Sequence, residues 1–201
     1  MSTWVWIVIA VLVVVVLALV VRAATRARRS RSLQEGFGRE YDRTVEETGG
    51  RREGERELIE RQKRHDALDI RELTPQARER YREEWQATQV RFVDDPSGAV
   101  GQADVLVQRV MKERGYPTDD FEQRAADISV EHPDLVERYR TAHGIAQSNE
   151  KGTASTEDLR QSVRHYRSLF ETLLGGGASD QQLSRDTSTG EQSDVESPAR
   201  S

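Results

Sequence analysis

The stretch TPQARERYREEWQATQVRFVDDP, residues 74–96, carries the clearest fold signal in the sequence. It opens with Thr74–Pro75, a capping side chain followed by proline at the first helical position. Larger side chains then recur at i, i+4, i+7 and i+11, namely Tyr81, Trp85, Thr88 and Phe92. Arginine and glutamate fill most of the other positions, so the stretch predicts an amphipathic helix with one apolar face.

The same signals continue towards the C-terminus. Asp95–Pro96 predicts the start of a second helix that ends at Gly115, and Thr118 or Asp119 predicts the cap of a shorter one. His132–Pro133 predicts a further helix ending near Gly144. Ser155–Thr156 predicts the last one, which runs to the triple glycine at 175–177.

These helices carry further aromatic residues at helical spacing, and no segment shows a strand of adequate length with period two. The sequence therefore predicts an all-α fold, a small helical bundle or array. Stripes at this spacing favour a packed core, and the lining of a ligand pocket is the alternative. The aromatic candidates for core or pocket are Tyr81, Trp85, Phe92, Phe121, Tyr139, Tyr166 and Phe170.

Residues 32–73 give a weaker pattern and are predicted to form a membrane-proximal helical or charged linker region. Phe37, Tyr41 and Val45 fall on one side of a helix that continues from the N-terminal segment. Gly49–Gly50 and Gly54 then predict a solvated break or a poorly packed helix start.

At the N-terminus, WVWIVIAVLVVVVLALVV runs from Trp4 to Val21 without a polar residue. At ~1.5 Å per residue this stretch gives about 27 Å of helix, enough to cross a bilayer. A cleavable signal sequence is the alternative, but no basic side chain precedes the apolar stretch and arginines follow it. The sequence therefore predicts a single transmembrane helix.

The flank after the apolar stretch is rich in arginine: Arg22, Arg26, Arg28, Arg29 and Arg31. The excess of positive charge on that side predicts the orientation of the segment in a bacterial inner membrane. The N-terminus would lie outside the cell membrane and the C-terminal region in the cytoplasm. These arginines are candidates for lipid contact, and a bare topology signal without lipid specificity is the alternative.

Composition narrows the function classes. The 30 basic and 35 acidic side chains give a net charge of −5, and the five arginines at 22–31 leave residues 32–201 at about −10. An acidic body disfavours nucleic-acid binding, which depends on neutralising phosphates. With no cysteine, thiolate metal sites and cysteine nucleophiles are excluded.

No motif predicts catalysis, a cofactor or a metal. None of His65, His132, His143 and His165 is followed at three or four positions by another histidine, as a zinc protease motif requires. Asp94–Asp95 and Asp119–Asp120 lack the ligand spacing of a calcium loop and suit helix caps. The chain is therefore predicted not to be an enzyme.

The segments FGREYDRTVEETGG, ADVLVQRVMKERGYP, DFEQRAADISVEHPDLVERYRTAH and LRQSVRHYRSLFETLL resemble uncharacterised bacterial proteins of the actinobacterial type. In those proteins a hydrophobic N-terminus precedes a helical domain. The resemblance covers about residues 33–174 and implies a recurring helical unit, with no activity or site residue to carry over.

Together these patterns divide the chain into an anchor with its arginine flank (1–31), the membrane-proximal region (32–73), a helical domain (74–174) and a disordered tail (175–201). The predicted partners are the lipid bilayer and another protein. The predicted function is a membrane-tethered, non-enzymatic interaction module. The alternative is an exported or lipid-facing sensor whose helical domain holds a small apolar ligand.

Overall fold

A computed structural model describes residues 3–175 of the chain, with the side chains of Thr3 and residues 5–11 outside that description. The described part contains eight α-helices and no strand, which confirms the all-α prediction. The bounds are α1 Thr3–Phe37, α2 Arg39–Glu47, α3 Arg51–Asp66, α4 Pro75–Asp94, α5 Pro96–Arg114, α6 Phe121–Glu131, α7 Pro133–Glu150 and α8 Thr156–Leu173. Residues 176–201, most of the predicted tail, lie outside the described part.

Local capping explains where several helices begin. The Thr74 hydroxyl accepts a hydrogen bond from the Ala77 N–H at 3.1 Å, and an Asp95 carboxylate oxygen accepts one from Gly98 at 2.9 Å. Ser155 and Asp158 form a reciprocal capping box at the start of α8. These three predicted helix starts are confirmed. They were predictable because each capping side chain and the N–H group that it binds lie within four residues of each other in the sequence.

Two boundaries differ from the prediction. The cap of α6 is Asp120, whose carboxylate accepts a hydrogen bond from Gln123, and not Thr118 or Asp119. α7 continues past Gly144 to Glu150. Gly144 is exposed, so it weakens the helix without stopping it, while the buried Ala146 two residues later still packs into the core.

The main core lies between α4, α5, α7 and α8, with α6 against α7. Helix α5 is central because its apolar face is wide enough to contact α4, α7 and α8 together. Its buried residues are Ala99, Val100, Ala103, Leu106, Val107, Val110 and Met111. At 3.6 residues per turn, their positions span about 140° of the helix circumference.

A second, smaller core joins the N-terminal helices to the rest. Leu33 and Phe37 from the end of α1, Tyr41 from α2 and Leu58 from α3 are buried together. Gly38, with a φ of 51°, separates α1 from α2, so the predicted face of Phe37, Tyr41 and Val45 is divided between two helices and does not lie on one. α3 also contacts α6, and α2 contacts α7.

Gly54 has a different role from the predicted helix breaker. It is buried inside α3, and a Cβ there would lie 2.8 Å from the Cα of Val45. Real Cβ atoms do not come that close to a backbone atom. Glycine therefore allows α2 and α3 to cross at short distance, which compensates for its low helix propensity.

No helix in the described part of the chain combines the length and the apolar composition that a membrane crossing needs. The predicted span Trp4–Val21 falls inside α1, and the side chains of residues 5–11 within it are outside the described set. This finding gives the predicted transmembrane helix no support, and the span stays a proposal.

Candidate functional site

The groove between α1 and α3 is a concave surface lined mainly by arginines. It has a volume of about 730 Å³ and is open to solvent. We call it the basic groove; its lining is Arg26, Ala27, Arg29, Ser30, Arg51, Arg52, Glu55, Arg56 and Ile59. Five arginines therefore face one carboxylate.

That carboxylate is already engaged by groups around it. Glu55 Oε1 accepts hydrogen bonds from Tyr41 Oη at 2.9 Å, from Arg51 Nε at 2.9 Å and from the Ser30 hydroxyl. Partial burial acts to raise the pKa of Glu55, but the hydrogen bonds from Ser30, Arg51 and Tyr41 outweigh it and lower the pKa. Glu55 is thus an anion held by α1, α2 and α3, and it neutralises mainly Arg51.

Three of the other four arginines of the basic groove are available to a ligand. Arg56 pairs with Glu53 at 2.5 Å on an exposed face of α3. Within residues 3–175, Arg26, Arg29 and Arg52 are exposed and make no ion pair. Of the arginines predicted to contact lipid, only Arg26 and Arg29 line the groove; Arg22, Arg28 and Arg31 are exposed elsewhere on α1.

A buried ion cluster fixes α2 and α3 against α7. The Glu40 side chain is 1% exposed; its carboxylate accepts hydrogen bonds from Arg140 at 2.7 and 3.1 Å and from Arg61 at 2.9 Å. Arg61 also binds Glu57 at 2.9 Å. Because charges this deep are tolerated only when paired, the cluster favours one arrangement of the three helices.

The aromatic candidates fall into two groups. Tyr81, Trp85, Tyr139, Tyr166 and Phe170 are buried, whereas Phe92 and Phe121 are half-buried. Trp85 stacks on Phe170 at 4.7 Å between ring centroids, and Phe121 stacks on His143 at 3.7 Å.

The buried tyrosines use their hydroxyls inside the protein. Tyr139 accepts a hydrogen bond from Arg124 at 3.0 Å, and Tyr166 donates one to Asp104 at 2.8 Å. Burial raises the pKa of Tyr139 to about 12. These two rings are therefore neutral structural groups at physiological pH.

An open groove of about 620 Å³ lies above Trp85 and Phe170. Its lining includes the charged residues Arg82, Arg138 and Arg167, and Phe92 is not part of it. The indole N–H of Trp85 is buried and has no hydrogen-bond partner among the described residues. The groove thus combines an aromatic floor with a charged rim.

One cluster of titratable groups was not predicted from the sequence. His65 Nε2 and His132 Nε2 each lie 3.8 Å from Glu131 Oε2, which also accepts a hydrogen bond from Tyr116. Burial lowers the pKa of His132, although the charge of Glu131 opposes the effect. The neighbours Glu131 and His132 were visible in sequence, but His65 arrives from α3, 66 positions earlier along the chain.

Distances between the side chains limit the interactions that this cluster can make. At 3.8 Å neither imidazole makes a direct hydrogen bond to the carboxylate. No group of three or more histidine, aspartate or glutamate side chains within the described residues is arranged to hold a metal ion. A cavity of about 400 Å³ adjoins Glu131 and His132, with Arg78 and Arg114 in its lining.

Fold and site together define only a general class: an all-α protein with a basic groove beside an apolar N-terminal helix. No protein-family model, curated protein or solved structure matches the chain. The resemblance to bacterial membrane-anchored helical proteins stays a prediction.

Proposed function

We propose that this chain is a non-enzymatic, membrane-tethered helical interaction module on the cytoplasmic face of a bacterial inner membrane. One observation carries the proposal. The side chains of residues 12–21 on α1 are all exposed and all apolar, with Leu12 63% and Val21 60% exposed. Apolar surface around the whole circumference of a helix is stable only when it is covered by lipid or protein.

The attachment between this surface and the folded helices supports the same function. Helix α1 runs without interruption from Thr3 to Phe37, and its last turns bury Leu33 and Phe37 in the second core. A membrane anchor on residues 4–21 would therefore hold α2 and α3 at a fixed distance and orientation. A flexible linker would not do so.

The proposed orientation rests on the charge asymmetry around the apolar segment. Five arginines follow Val21 within ten residues and no charged side chain precedes Trp4. Positive flanks are retained on the cytoplasmic side. In the proposal the helical domain therefore meets its partner protein in the cytoplasm.

The anchor is tested by alkaline carbonate extraction of membranes that contain the full chain. Wild-type protein should stay in the pellet, and Val14→Arg/Leu17→Arg should be extracted, because each arginine at mid-span opposes insertion by about 2.5–3.5 kcal/mol. The matched control is Val90→Arg/Val93→Arg on the exposed face of α4, which should stay in the pellet. Extraction of the wild-type protein would contradict the proposal.

A second candidate function, an exported or lipid-facing sensor for a small apolar ligand, is favoured by the open groove above Trp85 and Phe170. The charged rim formed by Arg82, Arg138 and Arg167 disfavours a purely apolar ligand. A Trp4→Phe/Trp6→Phe background leaves Trp85 as the single tryptophan. Saturable quenching of Trp85 fluorescence by an apolar probe would support the sensor function.

A further inference from the structure

The basic groove lies close to the end of the apolar segment. Arg26 follows Val21 by five residues, which is about 7–8 Å along a helix. The headgroup layer on each side of a bilayer is about 5–7 Å thick. Arg29 follows Val21 by eight residues, about 12 Å. If the proposed anchor on residues 4–21 holds, as this inference requires, the basic groove begins at the outer edge of the headgroup layer, where long arginine side chains can extend back to the lipid phosphates.

Three of the five arginines of the groove lack a counterion within the described residues. Arg26 and Arg29, three positions apart on α1, share a face, and Arg52 approaches from α3. Glu55 is occupied by Arg51, Ser30 and Tyr41 and is not free to neutralise them. Three guanidinium groups around one concave surface favour an anionic ligand with several acceptor oxygens.

The start of α3 adds positive potential to the same place. Arg51 and Arg52 are the first two residues of this 16-residue helix, and its N-cap, Gly50, has no side chain to accept from the first-turn N–H groups. The N-terminus of a helix carries roughly half a positive charge and binds phosphate readily. Glu53, an acidic residue in the same first turn, lies close to Gly50 and pairs with Arg56, so it offsets part of this potential. Arg26, Arg29 and Arg52 therefore account for most of the attraction for an anion.

We infer that the basic groove binds the phosphate group of an anionic phospholipid, with Arg26, Arg29 and Arg52 as its ion partners. The shared chemistry is that of phosphate, and the position of the groove beside the headgroup layer favours the lipid over free phosphate as its source. In an anionic lipid such as phosphatidylglycerol the glycerol of the headgroup is neutral, so the negative charge of the phosphate is available to the arginines. In phosphatidylcholine the choline cation neutralises it.

The test uses the full chain in detergent micelles, with bound lipid counted by native mass spectrometry as dioctanoyl-phosphatidylglycerol is added. The groove variant is Arg26→Gln/Arg29→Gln/Arg52→Gln. Its matched control is Arg22→Gln/Arg28→Gln/Arg31→Gln. It removes the same number of positive charges from positions outside the groove lining. The groove variant should bind about tenfold more weakly or worse, and the control within about twofold of wild type, because only the groove variant removes guanidinium groups that surround the concave surface.

Three results would overturn the inference. Equal loss in both variants would mean diffuse charge attraction without a site. Equal binding of dioctanoyl-phosphatidylcholine would remove the need for an anionic head. Inorganic phosphate that binds as tightly as the lipid, and displaces it, would make free phosphate the ligand.

The same variants separate this inference from the proposed anchor. Lipid binding in micelles does not require that α1 spans a bilayer, and the groove variant should stay in the membrane pellet on carbonate extraction. Wild-type protein that binds phosphatidylglycerol in micelles but is extracted by carbonate would remove the anchor, and with it the depth argument. Wild-type protein that stays in the pellet but shows no lipid preference would remove the groove ligand alone.

Discussion

Replacing Glu40 with glutamine tests whether the buried ion cluster holds α2 and α3 against α7. The substitution removes the only anion paired with Arg140 among the described residues, and leaves Arg61 with the half-buried Glu57. Both arginine side chains are about nine-tenths buried, with 10% of Arg140 and 9% of Arg61 exposed. Breaking a buried ion pair on one side typically destabilises a protein by about 3–5 kcal/mol.

The assay is urea unfolding of the full chain in detergent micelles, followed by far-ultraviolet circular dichroism. Glu40→Gln should lower the free energy of unfolding by about 3 kcal/mol or more. Glu47→Gln is the matched control, because Glu47 pairs with Arg43 on an exposed face of the same helix at 2.7 Å. Its effect should stay below about 0.5 kcal/mol.

A double-mutant cycle between Glu40→Gln and Arg140→Gln makes the test specific. The two changes should be strongly non-additive, since either one alone breaks the same hydrogen bonds. The reasoning would be refuted if Glu40→Gln destabilised no more than Glu47→Gln, or if the two cluster substitutions added without coupling.

Three further predictions follow from packing and burial. Trp85→Ala should destabilise the fold by about 3–5 kcal/mol in thermal melts, because Trp85 is buried against Phe170; the exposed Val93→Ala is the control. Gly54→Ala should destabilise by about 1–3 kcal/mol through its clash with α2, whereas Gly101→Ala, in open space on α5, should stabilise by up to about 1 kcal/mol; equal signs would refute the tight crossing. Burial lowers the folded-state pKa of three histidines, so the unfolded state binds more protons and stability should fall as pH drops below about 6.5. The three histidines are His132, His143 and His165. Urea unfolding midpoints at several pH values test this prediction, and replacing all three with asparagine should flatten the dependence of the midpoint on pH.

Local signals in the sequence were enough for the helices and several of their starts. Thr74, Asp95 and Ser155 each cap an N–H group three residues away, so the whole interaction is visible in a short window. The cap of α6 was misplaced because three consecutive residues, Thr118 to Asp120, all have suitable side chains. Nothing local distinguishes them.

The interactions that position the site were not predictable in this way. Glu40 and Arg61 look like solvated charges in sequence, and they are buried only because Arg140 arrives 100 positions later. Arg51 and Arg52 follow Arg29 by more than 20 residues, across two helix boundaries. Gly54 was interpreted as a breaker because the close approach of Val45 depends on how α2 and α3 cross.

The central claim is that residues 4–21 cross a membrane and leave the helical domain in the cytoplasm. The chain has no cysteine, so single cysteines introduced at Ser2 and at Thr153, in the turn between α7 and α8, can be labelled without background. The most direct measurement is labelling by a membrane-impermeant maleimide in intact bacterial spheroplasts and in inverted vesicles. The account predicts that Ser2→Cys reacts only in spheroplasts and Thr153→Cys only in inverted vesicles. Labelling of Thr153→Cys in intact spheroplasts, or recovery of the protein in the soluble fraction, would contradict it.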